Sequence, residues 1–207
     1  MELSVYDRQM VRITDRQGRM FTGRADVYPS GFGLHEFGRE EESIRIGVYQ
    51  IFESDAARIE TLPDLRVLRA AETWQQAGAY YVRIQAMARK HHISLRQEFD
   101  EHDRPDTRYI VVTDRDFPVS TARMYPLDGS SVMIGRVVVL PEYRRQGIGS
   151  MTVLECEQWA AELGFTRAVL ESRDNKTAFY EQLGYEISGE PVQGDTFRCI
   201  RMEKDIG

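Results

Sequence analysis

The sequence predicts an α+β domain, in which a mixed and mostly antiparallel sheet is flanked by helices, preceded by a small all-β barrel. Two observations predict it. Short alternating segments separated by glycine-containing turns fill residues 1–62, whereas helical periodicities interleaved with strands fill residues 63–207. Strands and helices mixed in this way are typical of the α+β class, and closing short strands into a barrel removes their exposed edges. We therefore expect two domains that meet close to Pro63.

The first sixty residues alternate between apolar and polar side chains in runs of about four. The segment Val11–Thr14 alternates first, a turn follows at residues 15–18, and Pro29 breaks a later run. Alternation with period two is typical of half-buried strands, and glycine and proline mark the turns between them. The predicted strands cover residues 11–14, 20–23, 25–28, 43–46, 49–52 and 57–60.

From residue 63 the periodicity becomes helical in several places. Pro63 can begin a helix that runs to Gly78, because Val67, Ala71 and Trp74 are spaced four and three apart on one face. Hairpins are indicated at residues 113–116 and 127–130. The further elements predicted are helices at 79–90, after 147 and at 175–183, and strands at 109–113, 118–125, 132–140, 168–171, 185–188 and 196–203.

Composition excludes several classes of protein. Hydrophobic residues make up 42% of the chain and charged residues 29%, as in ordinary globular domains. The net charge of −6 argues against a basic nucleic-acid-binding surface and is compatible with a cationic acceptor. Cys156 and Cys199 lie in apolar runs, which predicts buried free thiols, and the four histidines lack metal-ligand spacing. No leader and no membrane span is recognisable, so we expect a cytoplasmic protein without a membrane partner.

The strongest chemical signal is a strand, a turn and a helix between Val137 and Gly149. The apolar strand ends at Leu140, Pro141 turns the chain, and a helix begins near Gly147. The first turn of a helix offers unpaired N–H groups and a partial positive charge, which favour an anion. Glycine at 147 and 149 removes side chains that would keep a phosphate away. The alternative is a plain turn whose glycines only permit tight packing, since the P-loop lysine is missing.

Three sequence motifs occur in order along residues 79–205. Residues 144–149 (RRQGIG) match a Q/R-x-x-G-x-G/A pattern between a strand and a helix. Residues 178–185 (AFYEQLGY) match A-x-F-Y-x-x-L-G-F/Y, and residues 95–103 (LRQEFDEHD) contain an E-F-D-x-x-D stretch at a characteristic distance from Arg83. Together they resemble the GNAT N-acetyltransferases, and the third motif is similar to that of the ElaA- and YjcF-like subgroup.

The resemblance implies acetyl-CoA as co-substrate and no metal. In this family acetyl-CoA lies where two central strands splay apart, which here are residues 137–140 and 168–171. By matching position, the first strand pairs with the pantetheine arm and the thioester carbonyl, and backbone N–H groups of residues 145–150 hold the pyrophosphate. The cofactor-binding residues implied are Val137, Val138, Val139, Arg144, Arg145, Gln146, Gly147, Ile148, Gly149, Ser150 and Asn175.

The resemblance also implies transfer of the acetyl group to a primary amine of a small molecule or a protein. Tyr180 matches the tyrosine that protonates the departing CoA thiolate, although a tyrosine on an amphipathic helix also serves packing. An alkylamine of pKa near ~10.4 needs roughly 4 kcal/mol to reach its neutral form at pH 7, so a carboxylate base is expected. The candidate bases are Glu98, Asp100 and Asp103. Alternatively, these carboxylates form a solvated loop or pair with Arg83 and Arg123.

The chain departs from the subgroup pattern in two regions on the acceptor side. Residues 86–91 (AMARKH) replace V-F-V-x-E-Q, which puts basic residues where an acidic or amide residue is usual. Seven residues before Tyr180 the family usually has Asn or Gln, and here Arg173 stands. Asn175 either substitutes for that amide or caps the following helix. The acceptor itself is not predicted.

Residues 11–23 (VRITDRQGRMFTG) and 42–46 (ESIRI) resemble strands of an Sm-like (LSM) barrel. Sm-like rings bind single-stranded RNA through a D-x-x-x-N loop and a later Arg-Gly pair, and neither pattern is clear here. Residues 1–61 carry eight arginines, no lysine and eleven acidic residues, a net charge of −3. Because such a surface does not attract RNA, we expect the barrel to mediate protein contacts in a homo-oligomer.

The sequence leaves two other functions open. The basic segment 89–91 is compatible with a catalytically weak module that binds acetyl-CoA and reports its level. The Sm-like strands are compatible with an RNA-associated protein. Acetylation of amines well above the uncatalysed rate excludes the first, and absence of salt-dependent binding to uridine-rich oligonucleotides excludes the second.

Overall fold

The computed structural model describes residues 2–104, 106–193 and 197–207. The first sixty residues form two three-stranded sheets, in the orders β2-β1-β6 and β3-β4-β5. All the strands predicted there exist, each within one or two residues of the expected bounds. They are β1 (Met10–Asp15), β2 (Met20–Arg24), β3 (Asp26–Tyr28), β4 (Ser43–Ile46), β5 (Tyr49–Phe52) and β6 (Ala56–Thr61), with a short helix α1 (Leu34–Phe37) between β3 and β4.

The two small sheets share one apolar core. Side chains of β1 are alternately buried and half-buried, as the sequence alternation predicts. Chain order joins the sheets, because a single residue separates β2 from β3 and β6 returns to pair with β1. The pairing defines two sheets rather than a closed barrel, so the Sm-like assignment stays a prediction. The buried core consists of Leu3, Val11, Ile13, Ala25, Ile44, Ile46, Ile51 and Ala56.

An eight-stranded sheet forms the rest of the molecule, with the order β12-β14-β11-β10-β9-β8-β7 and with β13 also paired to β14. Among the strand pairs of the described residues only β10 and β11 run parallel, so the prediction of a mixed, mostly antiparallel sheet is confirmed. Of the strand predicted at 196–203, residue 196 lies outside the described residues. The strands are β7 (Leu65–Arg69), β8 (Arg108–Asp114), β9 (Phe117–Pro126), β10 (Ser131–Val139), β11 (Arg167–Arg173), β12 (Glu186–Ile187), β13 (Val192–Gln193) and β14 (Arg198–Asp205).

Four helices accompany this sheet, and one helix prediction is wrong. Residues 65–69 form the edge strand β7 instead of a helix, because Val67 and its neighbours gain backbone pairing with β8. The helix begins only at residue 73, where Glu72 and Gln75 form a capping box, and Trp74 is 46% exposed. The helices are α2 (Thr73–Arg83), continued as a π-helical stretch (Ile84–Arg89), α3 (Leu95–Glu98), α4 (Ile148–Glu162) and α5 (Thr177–Glu181).

Helix α4 packs an apolar face on the sheet. Val153, Cys156 and Ala160 are fully buried, whereas Leu163, the C-cap, is 43% exposed, and Gly164 ends the helix with φ +89°. Cys156 and Cys199 are free thiols, the first buried and the second half-buried. In the described parts of the chain, no helix has both the length and the apolar character needed to cross a membrane.

Candidate active site

Strands β10 and β11 are neighbours at one end only. Their parallel pairing ends at Met133 and Val169, yet β10 continues to Val139 and β11 continues to Arg173. Over those residues β10 remains paired with β9, and β11 with β14. The two strands therefore diverge into a wedge-shaped gap at the place where the sequence predicts it.

A bulge in β10 faces this gap. Between Gly135 and Val138 the register against β9 gains one extra residue, and Arg136 adopts a left-handed backbone with φ +52°. An extra residue leaves local backbone groups outside the strand ladder. Peptide groups near Val137 are thus free to pair with an extended ligand instead of with β9.

The turn that follows β10 leads directly into the N-terminus of α4. Arg145 and Gly147 both have positive φ, +59° and +79°, and Gly147 is the N-cap. The Met151 N–H donates to the Gly147 carbonyl at 3.1 Å, which is the first bond of the helix. The N–H groups that precede Met151 have no partner within the helix, so they and the helix dipole offer an anion site.

A cavity of about 1290 Å³ connects the gap with this turn. A Cβ on Gly149 would lie 3.5 Å from Phe179 and 3.6 Å from Val139, so glycine leaves open the space between β10 and α5. Of the predicted cofactor residues, eight line the cavity: Val137, Val138, Val139, Arg144, Arg145, Gly147, Gly149 and Ser150. The remaining three do not line it: Gln146 turns its amide to the Glu142 carbonyl, Ile148 is buried in the core, and Asn175 is exposed.

The N-terminal sheets pack directly on the turn. The Thr22 hydroxyl donates a hydrogen bond to the Gln146 carbonyl, and a Cβ on Gly147 would lie only 2.6 Å from the Thr22 backbone nitrogen. On β5, the Tyr49 hydroxyl donates to the Gln182 carbonyl at 3.4 Å. Glycine at 147 therefore permits close approach of a second unit as well as the positive φ, which agrees with the packing role that the sequence left as an alternative.

Tyr180 lies in the wall of the cavity on α5. Its ring packs edge-on against Phe179 and Tyr185, at centroid distances of 4.8 and 5.9 Å. Burial raises the pKa of Tyr180 to about 12. The hydroxyl therefore keeps its proton at neutral pH and can donate it into the cavity.

Two of the three candidate carboxylates are engaged away from the cavity. Asp103 accepts from Arg83 at 2.5 Å, from Arg123 at 2.8 Å and from the Tyr109 hydroxyl. Asp100 binds Arg123 through both oxygens, at 2.6 and 2.9 Å. Burial alone would raise the pKa of each aspartate, but these hydrogen bonds and charges lower the pKa below its ordinary value. Neither residue lines the cavity.

Glu98 does line the cavity, although it is buried and accepts from the Arg83 Nε at 2.8 Å. A carboxylate that the sequence did not single out also lines it. Glu171 is exposed on β11, at the gap where that strand has left β10. Only the divergence of the two strands reveals Glu171, because its local sequence reads as an ordinary strand.

The geometry agrees with a known family. The sequence model of the Acetyltransferase (GNAT) family matches residues 68–185, which is more than half of the chain. The chain belongs to the GNAT family. It is therefore an acyltransferase, and acetyl-CoA is the donor that the family uses.

Relatives of this GNAT chain match about two thirds of its length. The uncharacterized protein YyaT of Bacillus subtilis is 30% identical over 62% of this chain and 87% of its own length. A solved structure assigned as an N-acetyltransferase from Lactobacillus plantarum has a TM-score of 0.66 and 28% identity, covering 69% of this chain and 98% of that one. ElaA of Escherichia coli, from the subgroup that the sequence resembles, has a TM-score of 0.58 and 21% identity, covering 68% and 98%, and shows the fold alone.

The interior of the cavity in this GNAT chain is rich in cations. Lys90, Arg144, Arg173 and Lys176 line it together with His91. Repulsion from Arg144 first, then burial and the charges of Arg173 and Lys176, lower the pKa of Lys90. Arg173 stacks on the Phe197 ring at 3.4 Å and donates to the Met87 sulfur at 3.2 Å. The cavity is therefore richer in positive charge than the net charge of the whole chain suggests.

Proposed function

We propose that this chain transfers the acetyl group of acetyl-CoA to a primary amine of a small molecule or a protein. The observation that supports it best is the gap between β10 and β11, which opens onto the N-terminus of α4. The gap has free backbone groups at the Val137 bulge, an anion site at the helix, and Tyr180 in its wall. An extended thioester suits these three features, with its sulfur near Tyr180, its arm along the bulge and its phosphates at the helix.

The residues that line the gap suit the parts of acetyl-CoA. Backbone groups of Val137, Val138 and Val139 would pair with the pantetheine arm, and the N–H groups of residues 145–150 would hold the pyrophosphate, with Arg144 and Arg145 adding positive charge. When bound, acetyl-CoA supplies a thioester carbonyl open to attack and a sulfur that leaves as a thiolate. The protein supplies position, charge and proton transfer.

The cations of the cavity favour the reactive form of the acceptor. A protonated amine in the cavity is repelled by Arg144, Arg173 and Lys176, as Lys90 already is, so its pKa falls and the neutral nucleophile becomes easier to reach. The same charges attract a carboxylate or phosphate on the acceptor. We therefore propose an amine acceptor that also carries an anionic group.

Removal of the amine proton falls to a carboxylate in the cavity wall. Of the three bases that the sequence predicts, Glu98 alone lines the cavity, so we keep it as the proposed base. Its hydrogen bond to Arg83 fixes its position. Glu171 is the second carboxylate of the wall, and the matched variants Glu98→Gln and Glu171→Gln distinguish them by their pH–rate profiles.

We assign to Tyr180 the stabilisation of the leaving sulfur. With its pKa raised to about 12, the hydroxyl is neutral at pH 7 and donates a hydrogen bond to the thiolate as it departs. Asp100 and Asp103 serve instead to hold the segment after α3 against Arg83 and Arg123. Asp103 positions Glu98 through Arg83, the partner that these two carboxylates share.

The proposal is tested by acetyl-CoA binding and by CoA release in the presence of amines. The panel contains amino acids and aminophosphates beside polyamines. Acetyl-CoA at about a hundred times its Kd should stabilise the fold by roughly 2.7 kcal/mol. Gly149→Glu should abolish that shift by filling the gap with a charged side chain, whereas Gly129→Glu, in an open hairpin turn, should not. Binding without turnover of any amine contradicts catalysis and favours a sensing module. No binding by well-folded protein contradicts both.

For the N-terminal sheets we propose an Sm-like barrel that joins copies of this chain. The return of β6 to β1 and the single shared core support the barrel. Exposed Phe32, Leu34 and Phe37, close together along the chain between β3 and β4, support a covered face. Light scattering should give a mass above one chain, and Leu34→Asp should lower it. A monomeric wild type contradicts the proposal.

A further inference from the structure

The cavity does not end at the pyrophosphate turn. Beyond Arg145 and Gly147 it continues along the N-terminal unit, where Arg19, Phe21 and Tyr49 form its outer wall. These residues lie outside residues 68–185, the part of the chain that the family model covers. One continuous cavity is therefore built from two units, and only one of them belongs to the family fold.

The outer wall is an ordered arrangement of a cation and two aromatic rings. The Arg19 Nε donates to the Asp15 carboxylate at 2.6 Å, and the guanidinium lies 5.7 Å from the centre of the Phe21 ring. Phe21 and Tyr49 are 4.9 Å apart, with an interplanar angle of 55°. Asp15 is buried and also accepts the backbone N–H groups of Gln17 and Arg19, which fixes the base of the wall.

Among its described residues, the wall offers an anion hydrogen-bond donors and no unpaired carboxylate. The Arg19 side chain lines the cavity and is 66% exposed, and it binds Asp15 through Nε, so its terminal N–H groups are open to a ligand. Asp15 is paired with Arg19, and Asp55 is bound by the Arg39 guanidinium at 2.6 Å. A guanidinium binds phosphate oxygens in pairs, and aromatic faces accept a purine base by stacking.

We propose that the N-terminal β-unit binds the nucleotide end of acetyl-CoA, through Arg19 to a phosphate and through Phe21 and Tyr49 to the adenine. The inference rests on the proposed function, which places the thioester in the gap and the pyrophosphate at α4. The part of the ligand beyond the pyrophosphate would then lie against the wall formed by the N-terminal unit, near β1, β2 and β5. The hydrogen bond from Thr22 to Gln146 holds this wall against the turn.

The test separates the two ends of the ligand. Binding of acetyl-CoA, of adenosine 3′,5′-bisphosphate and of S-acetylpantetheine is measured on the full chain by calorimetry, directly or by competition. Arg19→Met and Phe21→Leu are compared with Arg58→Met, an exposed arginine of β6 paired with Glu60 outside the cavity. Each wall variant should weaken acetyl-CoA and the bisphosphate by about tenfold, the loss of one charge-assisted or stacking contact. S-acetylpantetheine and the Arg58→Met variant should show no change.

The outcomes distinguish this inference from the proposed function. Wild-type affinity for the nucleotide ligands in both wall variants overturns the inference and leaves acetyl transfer standing. An equal loss for S-acetylpantetheine also overturns it, since the wall would then act only by shaping the turn. Failure of the wild-type chain to bind acetyl-CoA at all overturns both.

Discussion

The Thr22 hydroxyl donates a hydrogen bond to the carbonyl of Gln146, which lies 124 positions further along the chain. Thr22 belongs to β2 of the N-terminal unit, and Gln146 to the turn that precedes α4. A carbonyl fixed in this way orients the adjoining peptide groups of the turn. The first unit is therefore a structural part of the cofactor site, and substitutions in it should alter the affinity for acetyl-CoA.

Thr22→Val removes this bond while keeping the shape of the side chain. We expect a loss of about 1 kcal/mol in the free energy of unfolding, because the Gln146 carbonyl is left without its partner. Affinity for acetyl-CoA should fall several-fold as the turn loosens. Urea denaturation and calorimetry measure the two effects. Thr61→Val, at the exposed end of β6, is the control and should change neither.

Gly147→Ala tests the close approach of the two units. Gly18 and Gly147 have the same φ of +79°, but a Cβ at Gly18 meets no atom within 4 Å, whereas at Gly147 it would lie 2.6 Å from the Thr22 nitrogen. Gly18→Ala should therefore cost only the backbone strain, about 1 kcal/mol. Gly147→Ala should cost clearly more in thermal or urea unfolding. Equal losses would show that the units are not held together at this point.

Much of the cofactor site was predictable because its signals are local. A strand that ends in proline, followed by glycines and a helix, specifies the turn at 144–149 within a dozen residues. The helix predicted at 63–78 was wrong before residue 73, because the spacing of Val67, Ala71 and Trp74 also occurs by chance and an edge strand gains its pairing from β8, about 45 positions away. Local periodicity carries no information about that partner.

The rest of the cavity wall could not be predicted for the same reason. Glu171 becomes a wall residue only where β11 leaves β10, and Arg19 and Tyr49 only where the first unit meets the second. The net charge of the chain was also a poor guide to the charge of the cavity, since most carboxylates lie outside the cavity and several cations line it. Composition records how many charges a chain has, and only the fold decides which ones share a cavity.

Asp103→Asn probes the ion pairs that hold the acceptor side. Hydrogen bonds from Arg83 and Tyr109 outweigh burial and lower the folded pKa of Asp103 below its unfolded value. A lowered folded pKa adds stability above about pH 4, and that stability is lost as the pH falls further. At pH 7 the variant should be less stable by about 3 kcal/mol, since Arg83 and Arg123 lose a buried partner.

Lowering the pH should reduce the difference in unfolding free energy between the wild type and Asp103→Asn. Wild-type stability, measured by urea unfolding between pH 7 and pH 3, should fall more steeply below pH 4 than that of Asp103→Asn. Asp116→Asn is a suitable control, because that side chain is 74% exposed and its nearest cation is 3.7 Å away. Its curve should run parallel to the wild type. A constant gap between the Asp103 variant and the wild type would argue against a lowered pKa.

Tyr180→Phe should lower kcat by about a hundredfold, the effect of losing one positioned proton donor. The affinity for acetyl-CoA should change little, since the ring still packs between Phe179 and Tyr185. Ionisation of Tyr180 should not change the rate below pH 10, because burial raises the pKa of Tyr180 to about 12. Tyr143→Phe is the matched control, because the Tyr143 hydroxyl donates to Asp114 at 2.9 Å and lies outside the cavity. Unchanged turnover in Tyr180→Phe would remove this residue from the mechanism.

The cations of the cavity predict how turnover depends on pH. The pH dependence of kcat reports ionisations of the bound complex, among them that of the acceptor amine. Positive neighbours lower the pKa of the bound amine, so kcat should reach its plateau at a lower pH than the free amine's pKa suggests. Lys176→Gln removes one of these charges and should move the plateau upward by roughly half a pH unit, as a charge about 10 Å away would. Arg167→Gln, on β11 but outside the cavity, should leave it in place. If both variants shift the profile equally, the field of the whole protein and not the cavity sets the amine's pKa.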